Sequence, residues 1–123
     1  MTCRHLSLGR WGEDVAASYL IRQGMKILGR NVRTPVGEID IVARCRRTLV
    51  FVEVKTRRGL SRGYPQEAVG MAKQRQILRA AQWYVNEQRL EKLQARFDVV
   101  AVLGDGESAR IQHIAAAFDA DGW

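Results

Sequence analysis

Proline, cysteine and histidine are scarce in this chain: two of each among 123 residues. Two prolines leave no proline-rich linker, and no internal repeat or low-complexity run divides the sequence, so one domain is expected over residues 1–123. Cys3 and Cys45 lack metal-ligand spacing, and in a reducing compartment they are not expected to pair. His5 and His113 have no cysteine or histidine near them in sequence, which argues against zinc. No apolar run approaches about 18 residues, so nothing reads as a membrane-spanning helix. The opening stretch Met1-Thr2-Cys3-Arg4-His5-Leu6 lacks the apolar core of a secretory signal, and a cytoplasmic location is the expectation.

Acids are also in deficit. Thirteen Asp and Glu stand against 20 Lys and Arg, for a net charge of +7 and a sequence pI of about 10.1. An excess of this kind points to a polyanionic partner, nucleic acid first. A membrane surface is the competing partner, but no basic amphipathic helix with bulky apolar anchors supports it. With 46% hydrophobic and 27% charged residues, the chain has the composition of an ordinary globular domain with one core.

Hydrophobic periodicity predicts a helix from Ser7 to Gln23, with Leu8, Trp11, Val15, Ala16, Tyr19 and Leu20 on its apolar side. Ser7 is suited to its N-cap and Gly24 to a left-handed C-terminus. A strand is expected from Met25 to Arg33, then a turn at Thr34-Pro35-Val36-Gly37. Two stronger strands run from Glu38 to Arg44 and from Leu49 to Thr56, joined by the four-residue loop Cys45-Arg46-Arg47-Thr48. Pro65 suits the first turn of a second helix reaching about Gln88, with Val69, Ala72, Ile77, Ala80, Ala81 and Tyr84 apolar. Strands are expected again at Arg96–Leu103 and Arg110–Ala115, separated by Gly104-Asp105-Gly106. Helix, three strands, helix and one or two strands make an α/β fold, a mixed sheet with helices on its faces.

Pairing the two strong strands decides which side chains meet. A four-residue loop opposes Arg44 with Leu49, Ala43 with Val50, Val42 with Phe51 and Ile41 with Val52. Extended outward, the same register opposes Asp40 with Glu53, Ile39 with Val54 and Glu38 with Lys55. One face is then wholly apolar (Ile39, Ile41, Ala43, Val50, Val52, Val54), and the other carries the charges.

Side by side, Asp40 and Glu53 repel, and a sheet gains nothing from that. A divalent cation relieves it, because Mg²⁺ takes hard oxygen ligands, often one or two carboxylates. The Val54 carbonyl is a further candidate ligand, and Mn²⁺ is able to substitute for Mg²⁺. Lys55, on the face of Glu53, can orient an attacking water and offset phosphate charge. The plain alternative is a solvated face on which Lys55 pairs with Glu38 or Glu53, an arrangement worth little energy.

The segment GEIDIVARCRRTLVFVEVKTR, Gly37 to Arg57, resembles the core of the restriction-endonuclease-like PD-(D/E)xK nucleases. The whole chain is similar to the bacterial YraN-type family, itself similar to archaeal Holliday-junction resolvases. The resemblance spans WGEDVAASYL, NVRTPVGEID, VFVEVKTR, the second helix and RFDVVAV. It implies a restriction-endonuclease-like αβββαβ core, with Asp40, Glu53 and Lys55 as the motif's acids and lysine. Glu13 would match the glutamate that resolvase-like members add to the same metal site. Ile39 stands where the motif's proline would be. The resemblance further implies a homodimer acting on branched DNA.

Read by itself, Glu13 clusters with Ala16, Ala17 and Leu20 beside the apolar stripe. It is either an early acid favoured by the helix dipole or an acid directed at a site. Beyond Lys55, a basic loop carries Arg57, Arg58 and Arg62, with Tyr64 placed to stack on an unpaired base. Lys73 is expected near the active-site side of the second helix, with Arg75 and Arg79 as general phosphate contacts, while Arg46 and Arg47 remain solvated. Two functions follow: a Mg²⁺-dependent endonuclease on branched or structured DNA, or a nucleic-acid-binding protein that retains the nuclease fold without cleaving.

Overall fold

The computed structural model describes residues 4–57, 69–104 and 109–119, with side chains from residue 8 onward. The element order is α1 (Arg4–Arg22), β1 (Lys26–Thr34), β2 (Gly37–Cys45), β3 (Thr48–Arg57), α2 (Met71–Gln88), β4 (Gln94–Leu103) and β5 (Arg110–Phe118). The strands form one sheet in the order β1-β2-β3-β4-β5. Only β3 and β4 are parallel, with α2 as the connection between them; the other neighbours are antiparallel. The expected α/β mixed sheet with flanking helices is the observed architecture.

Each helix covers one face of the sheet. Ala16, Ala17 and Leu20 of α1 pack on Ile41, Ala43, Val50, Val52, Val100 and Val102. Ile77, Ala80, Ala81, Tyr84 and Val85 of α2 pack on Ile39, Val42, Leu49, Phe51, Phe97 and Val99. The inner stretches of β3 and β4 are thus largely apolar on both faces, as expected of strands buried on two sides. Phe97 stacks between Phe51 and Phe118 at ring separations of 5.4 and 5.3 Å, carrying the core out to the edge strand. Gly24 ends α1 with φ +95°, where the Met25 N–H reaches the Leu20 carbonyl at 3.1 Å. Arg89 adopts the same left-handed conformation at the end of α2, although it is not a glycine.

Several expectations need correction. Helix α1 begins at Arg4, so Ser7 lies inside it rather than capping it. Helix α2 begins at Met71 after an extended Gly70; Val69 is buried but outside the helix, and residues 65–68 lie outside the described residues. The β2–β3 connection is the two-residue turn Arg46-Arg47, since Cys45 pairs with Thr48. The inner register is unchanged, because the added pair continues the same ladder. Arg46 takes φ +56°, and its carbonyl accepts from Arg44 Nε at 2.8 Å. Neither turn position has the Asn or Gly that marks a tight hairpin. Of Gly104-Asp105-Gly106, Gly104 turns with φ +106°; the other two lie outside the described residues.

Asp98 is the one fully buried charge of the described core. Its carboxylate accepts both Arg96 Nε and Nη2 at 2.9 Å, the Ala116 N–H at 3.0 Å and His113 Nε2 at 2.7 Å. A carboxylate only accepts, so His113 Nε2 carries the proton and Nδ1 is left to accept the Tyr19 hydroxyl at 3.0 Å. The chain Tyr19–His113–Asp98 ties α1, β5 and β4 together. Burial opposes ionisation of Asp98, but the bonds from His113, Arg96 and the Ala116 N–H outweigh it and hold its pKa below the usual carboxylate value. A depressed folded pKa contributes stability above the unfolded pKa, lost as pH falls through the folded one. Asp98→Asn is therefore expected to cost about 3 kcal/mol at neutral pH, since an amide NH₂ faces donors and Arg96 loses its partner. Urea unfolding at pH 7 and pH 3 checks this, and the difference between variant and parent should shrink in acid.

Candidate functional site

The β2–β3 ladder stops at Ile41↔Val52. Outward of that pair, β3 stays in register with β4 as far as Arg57↔Leu103, while β2 continues with β1 through Ile39, Glu38 and Gly37. The two strands therefore part, and Asp40 stands at the fork. Its Oδ2 accepts the Val54 N–H at 2.8 Å, supplying from a side chain the acceptor that the ladder no longer provides. The expected ladder pairs Asp40/Glu53, Ile39/Val54 and Glu38/Lys55 do not form. Alternation also breaks at Asp40: Ile39 lies with Val42 on the α2 face, not with Ile41 on the α1 face. Asp40 consequently lies close to the plane of the sheet, in the gap between β2 and β3.

From this gap Asp40 interacts with groups on both sides. Burial and then the charge of Glu53 push its pKa up to about 6, against the lowering effects of the Val54 N–H and Lys73. Glu53 is 7% exposed. Its Oε2 lies 3.5 Å from Lys55 Nζ and 3.8 Å from Lys73 Nζ, so one ammonium comes from its own strand and one from α2. The Lys55–Glu53 pair of the plain reading is thus present, whereas Glu38 pairs with Arg33 at 3.0 Å instead. Within a strand, a residue's N–H and C=O point to the same neighbour. The Val54 carbonyl therefore faces the same gap as the N–H that Asp40 holds.

On the α1 side, Asp40 and Val54 line a cleft of about 490 Å³ together with Gly9, Arg10, Glu13, Asn31, Arg33 and Thr56. Glu13 Oε1 accepts Asn31 Nδ2 at 2.8 Å and Arg30 Nη2 at 3.2 Å. With α1 starting at Arg4, Glu13 is well past the first turn, which removes the helix-dipole reading and leaves an acid directed at the cleft. Among the described residues, no three Asp, Glu, His or Cys side chains group to hold an ion. Glu13, Asp40 and Glu53 thus share a region without forming one ligand cluster. Helix α1 comes close to β3 here: a Cβ on Gly12 would overlap the Thr56 side chain.

Of the expected nucleic-acid contacts, Lys73 reaches Glu53 from α2. Arg57 Nη1 donates to the Thr56 carbonyl at 3.0 Å. Arg58, Arg62 and Tyr64 lie outside the described residues.

The model of the uncharacterised protein family UPF0102 matches residues 12–102, which include Glu13, Asp40, Glu53, Lys55 and Lys73. The chain belongs to UPF0102. It is 72% identical to a UPF0102 protein of Syntrophotalea carbinolica over the full length of both. It is 50% identical to one from Desulforapulum autotrophicum, covering 93% of this chain and 94% of that one. A UPF0102 protein of Rhodococcus opacus is 48% identical over 93% of this chain and 98% of its own. UPF0102 is the YraN-type family that the motifs pointed to. Among the described residues, no helix of this UPF0102 chain is long and apolar enough to cross a membrane.

Two features of this UPF0102 site escaped sequence reasoning. Asn31 takes a left-handed φ of +50° inside β1 while its amide holds Glu13; asparagine tolerates that conformation better than most residues, and this was the available signal. Gly9 lies inside α1, where glycine costs about 1 kcal/mol relative to alanine. Its position on the cleft wall follows only from the docking of α1 on the sheet.

A raised carboxyl pKa means the native state keeps a proton that the unfolded chain has lost, so stability falls as pH climbs from about 3.8 to about 6. Asp40→Asn retains an oxygen for the Val54 N–H and removes this penalty. The variant is expected to be more stable by about 2–3 kcal/mol above pH 6 and to lose that advantage below pH 4. Denaturant titrations without divalent cations, across that pH range, measure it.

Proposed function

We propose that this chain is a single nuclease-like domain of the restriction-endonuclease-like fold, a cytoplasmic Mg²⁺-dependent endonuclease hydrolysing phosphodiester bonds in branched or structured DNA. The observation that carries the reading is Asp40, a carboxyl held in the gap between two strands and facing the charge of Glu53, which is itself paired with two lysines. A half-buried acid beside a buried one is a poor arrangement for stability and a good one for a cation. Two carboxylates and the Val54 carbonyl suffice for Mg²⁺, which commonly completes its shell with water and substrate oxygens. Asp40, Glu53 and Val54 would hold it, and Mn²⁺ would serve in its place. Bound there, the ion would supply Lewis acidity toward a phosphoryl oxygen and a more acidic water.

The remaining work falls to the chain. Lys55 orients the attacking water and places positive charge where the transition state gathers negative charge. Lys73, reaching over from α2, adds a second ammonium to the same acid and to an incoming phosphate. Glu13 serves as the acid across the cleft, held in place by Asn31 and Arg30 rather than as one of a close triad. Arg57, Arg58, Arg62 and Tyr64 follow Lys55 in sequence and are proposed to hold the flanking strand. A homodimer would present two such sites to the arms of a junction.

One observation favours the second reading, a binding protein without cleavage. Glu53 is already paired with two lysines and Glu13 with Arg30, so most of the acidic charge has a partner without a cation.

Cleavage of branched, single-stranded and duplex DNA, and of RNA, with Mg²⁺ or Mn²⁺ separates the two. Asp40→Ala, Glu53→Ala and Lys55→Ala are each expected to slow cutting by about 100-fold or more while binding survives. Binding without cutting in the wild type would leave the second reading, and neither binding nor metal affinity would remove both. Neutralising Arg57, Arg58 and Arg62 should reduce the slope of log affinity against log salt by roughly 0.9 for every phosphate these arginines hold. An unchanged slope would take them out of the interface.

A further inference from the structure

Where α1 lines the cleft beside Arg10 and Glu13, position 9 carries no side chain, and packing among the described residues does not account for it. Gly9 lies one turn before Glu13, hence on the same face of α1. A Cβ built on it meets no described atom within 4 Å, whereas the nearby Gly12 is required because a Cβ there would strike Thr56. Packing thus explains one of the two glycines and not the other. Gly9 also does not need an unusual backbone, since its φ is not among the positive values of the chain. A helix interior that accepts glycine where alanine would fit is sacrificing stability for open space.

What surrounds that space is charged and specific. Arg10 and Arg33 line the same cleft as Gly9, from α1 and β1 respectively, together with Asp40 and Val54; Arg33 Nε is held by Glu38 at 3.0 Å, which leaves its other guanidinium nitrogens to meet a ligand. On the same cleft, Asn31 holds a left-handed conformation with its amide on Glu13. Two local conformational costs, one in a helix and one in a strand, therefore flank one opening. Strain of this kind gathers where a ligand must be accommodated. The opening is rimmed by guanidinium groups and lies beside carboxylates, so its ligand is an anion linked to something that reaches Asp40.

We infer that the Gly9 face of α1 seats one sugar–phosphate strand, with the strand's backbone lying in the space a side chain would fill and Arg10 and Arg33 contacting its phosphates. The placement deepens the nuclease reading and rests on it: the strand enters along α1 and meets Asp40 from that side. Glycine permits close backbone approach, the same service it gives in phosphate-binding loops.

The test uses a fluorescent four-way DNA junction and a fluorescent single strand, each titrated with the full chain in Ca²⁺ to hold back cutting. Gly9→Leu is expected to weaken both by roughly tenfold or more. Gly9→Ala should raise the urea midpoint and still weaken binding, a combination that a purely structural role for Gly9 would not produce. Ser18→Leu, on the exposed side of the same helix, controls for added surface hydrophobicity and should bind as the wild type does. If the wild type binds but Gly9→Ala and Gly9→Leu bind equally well, the strand does not pass along α1, and the nuclease reading survives without it. If the wild type binds neither DNA, both proposals are overturned together.

Discussion

The bond from the Val54 N–H to the Asp40 carboxylate is the constraint around which the rest of the molecule is arranged. Strands β2 and β3 could have remained a regular hairpin, since their inner residues pair without interruption. Instead β3 follows β4 and β2 follows β1, and the parting strands would leave a backbone donor without an acceptor. An unmet donor at a buried position costs about 1–3 kcal/mol. Asp40 meets it with a side chain. The same contact opens the sheet, turns Ile39 onto the opposite face from Ile41, and brings one carboxyl within reach of both layers.

One buried and one half-buried aspartate show how donors decide what burial does. Asp98 is fully enclosed yet ionises more readily than a free carboxyl, because side-chain donors from Arg96 and His113 and one backbone N–H converge on it. Asp40 has one backbone donor, faces the charge of Glu53 and stands above the usual range. The first arrangement locks β4, β5 and α1 in place and is complete without any further group. The second lacks positive charge at the carboxyl itself, and the lysines nearest to it are engaged with Glu53. Two side chains and a backbone N–H satisfy Asp98, whereas Asp40 accepts the Val54 N–H with the charge of Glu53 beside it.

The order of elements and the inner hairpin register were readable because they rest on local patterns. Alternating apolar residues in IDIVAR and LVFVEV, Gly24 after an amphipathic run and β-branched residues from Phe97 to Leu103 all agree with one another. What could not be read depended on contacts between distant segments. Extending the hairpin ladder to Asp40 assumed that two strands remain partners once paired; competition from β1 and β4 ended the pairing earlier. The tight turn hid behind Arg46, a residue rarely found at positive φ. The role of Asp98 in RFDVVAV was not legible, since its partner His113 is supplied by a strand whose bulge places the Ala116 N–H within reach of it. Glu13 was legible from its own surroundings only as an acid beside an apolar stripe, either early in the helix or directed at a site, and the resemblance alone linked it to the metal site. Its engagement by Asn31 required the docking of α1 against β1.

The open end of the sheet also explains why chemistry would draw on both layers. Glu53, Lys55 and Lys73 belong to the α2 side, and Glu13, Asn31 and Arg10 to the α1 side. A continuous sheet would keep these sets about 10 Å apart, the spacing at which layers pack. The fork removes that barrier at one place, and Asp40 occupies it. A substrate large enough to touch both sets must be long and charged, and it must approach from the end where the strands diverge. The nucleic-acid strand of the proposed function would meet those conditions, whereas a compact anion would engage one layer and leave the other without a role.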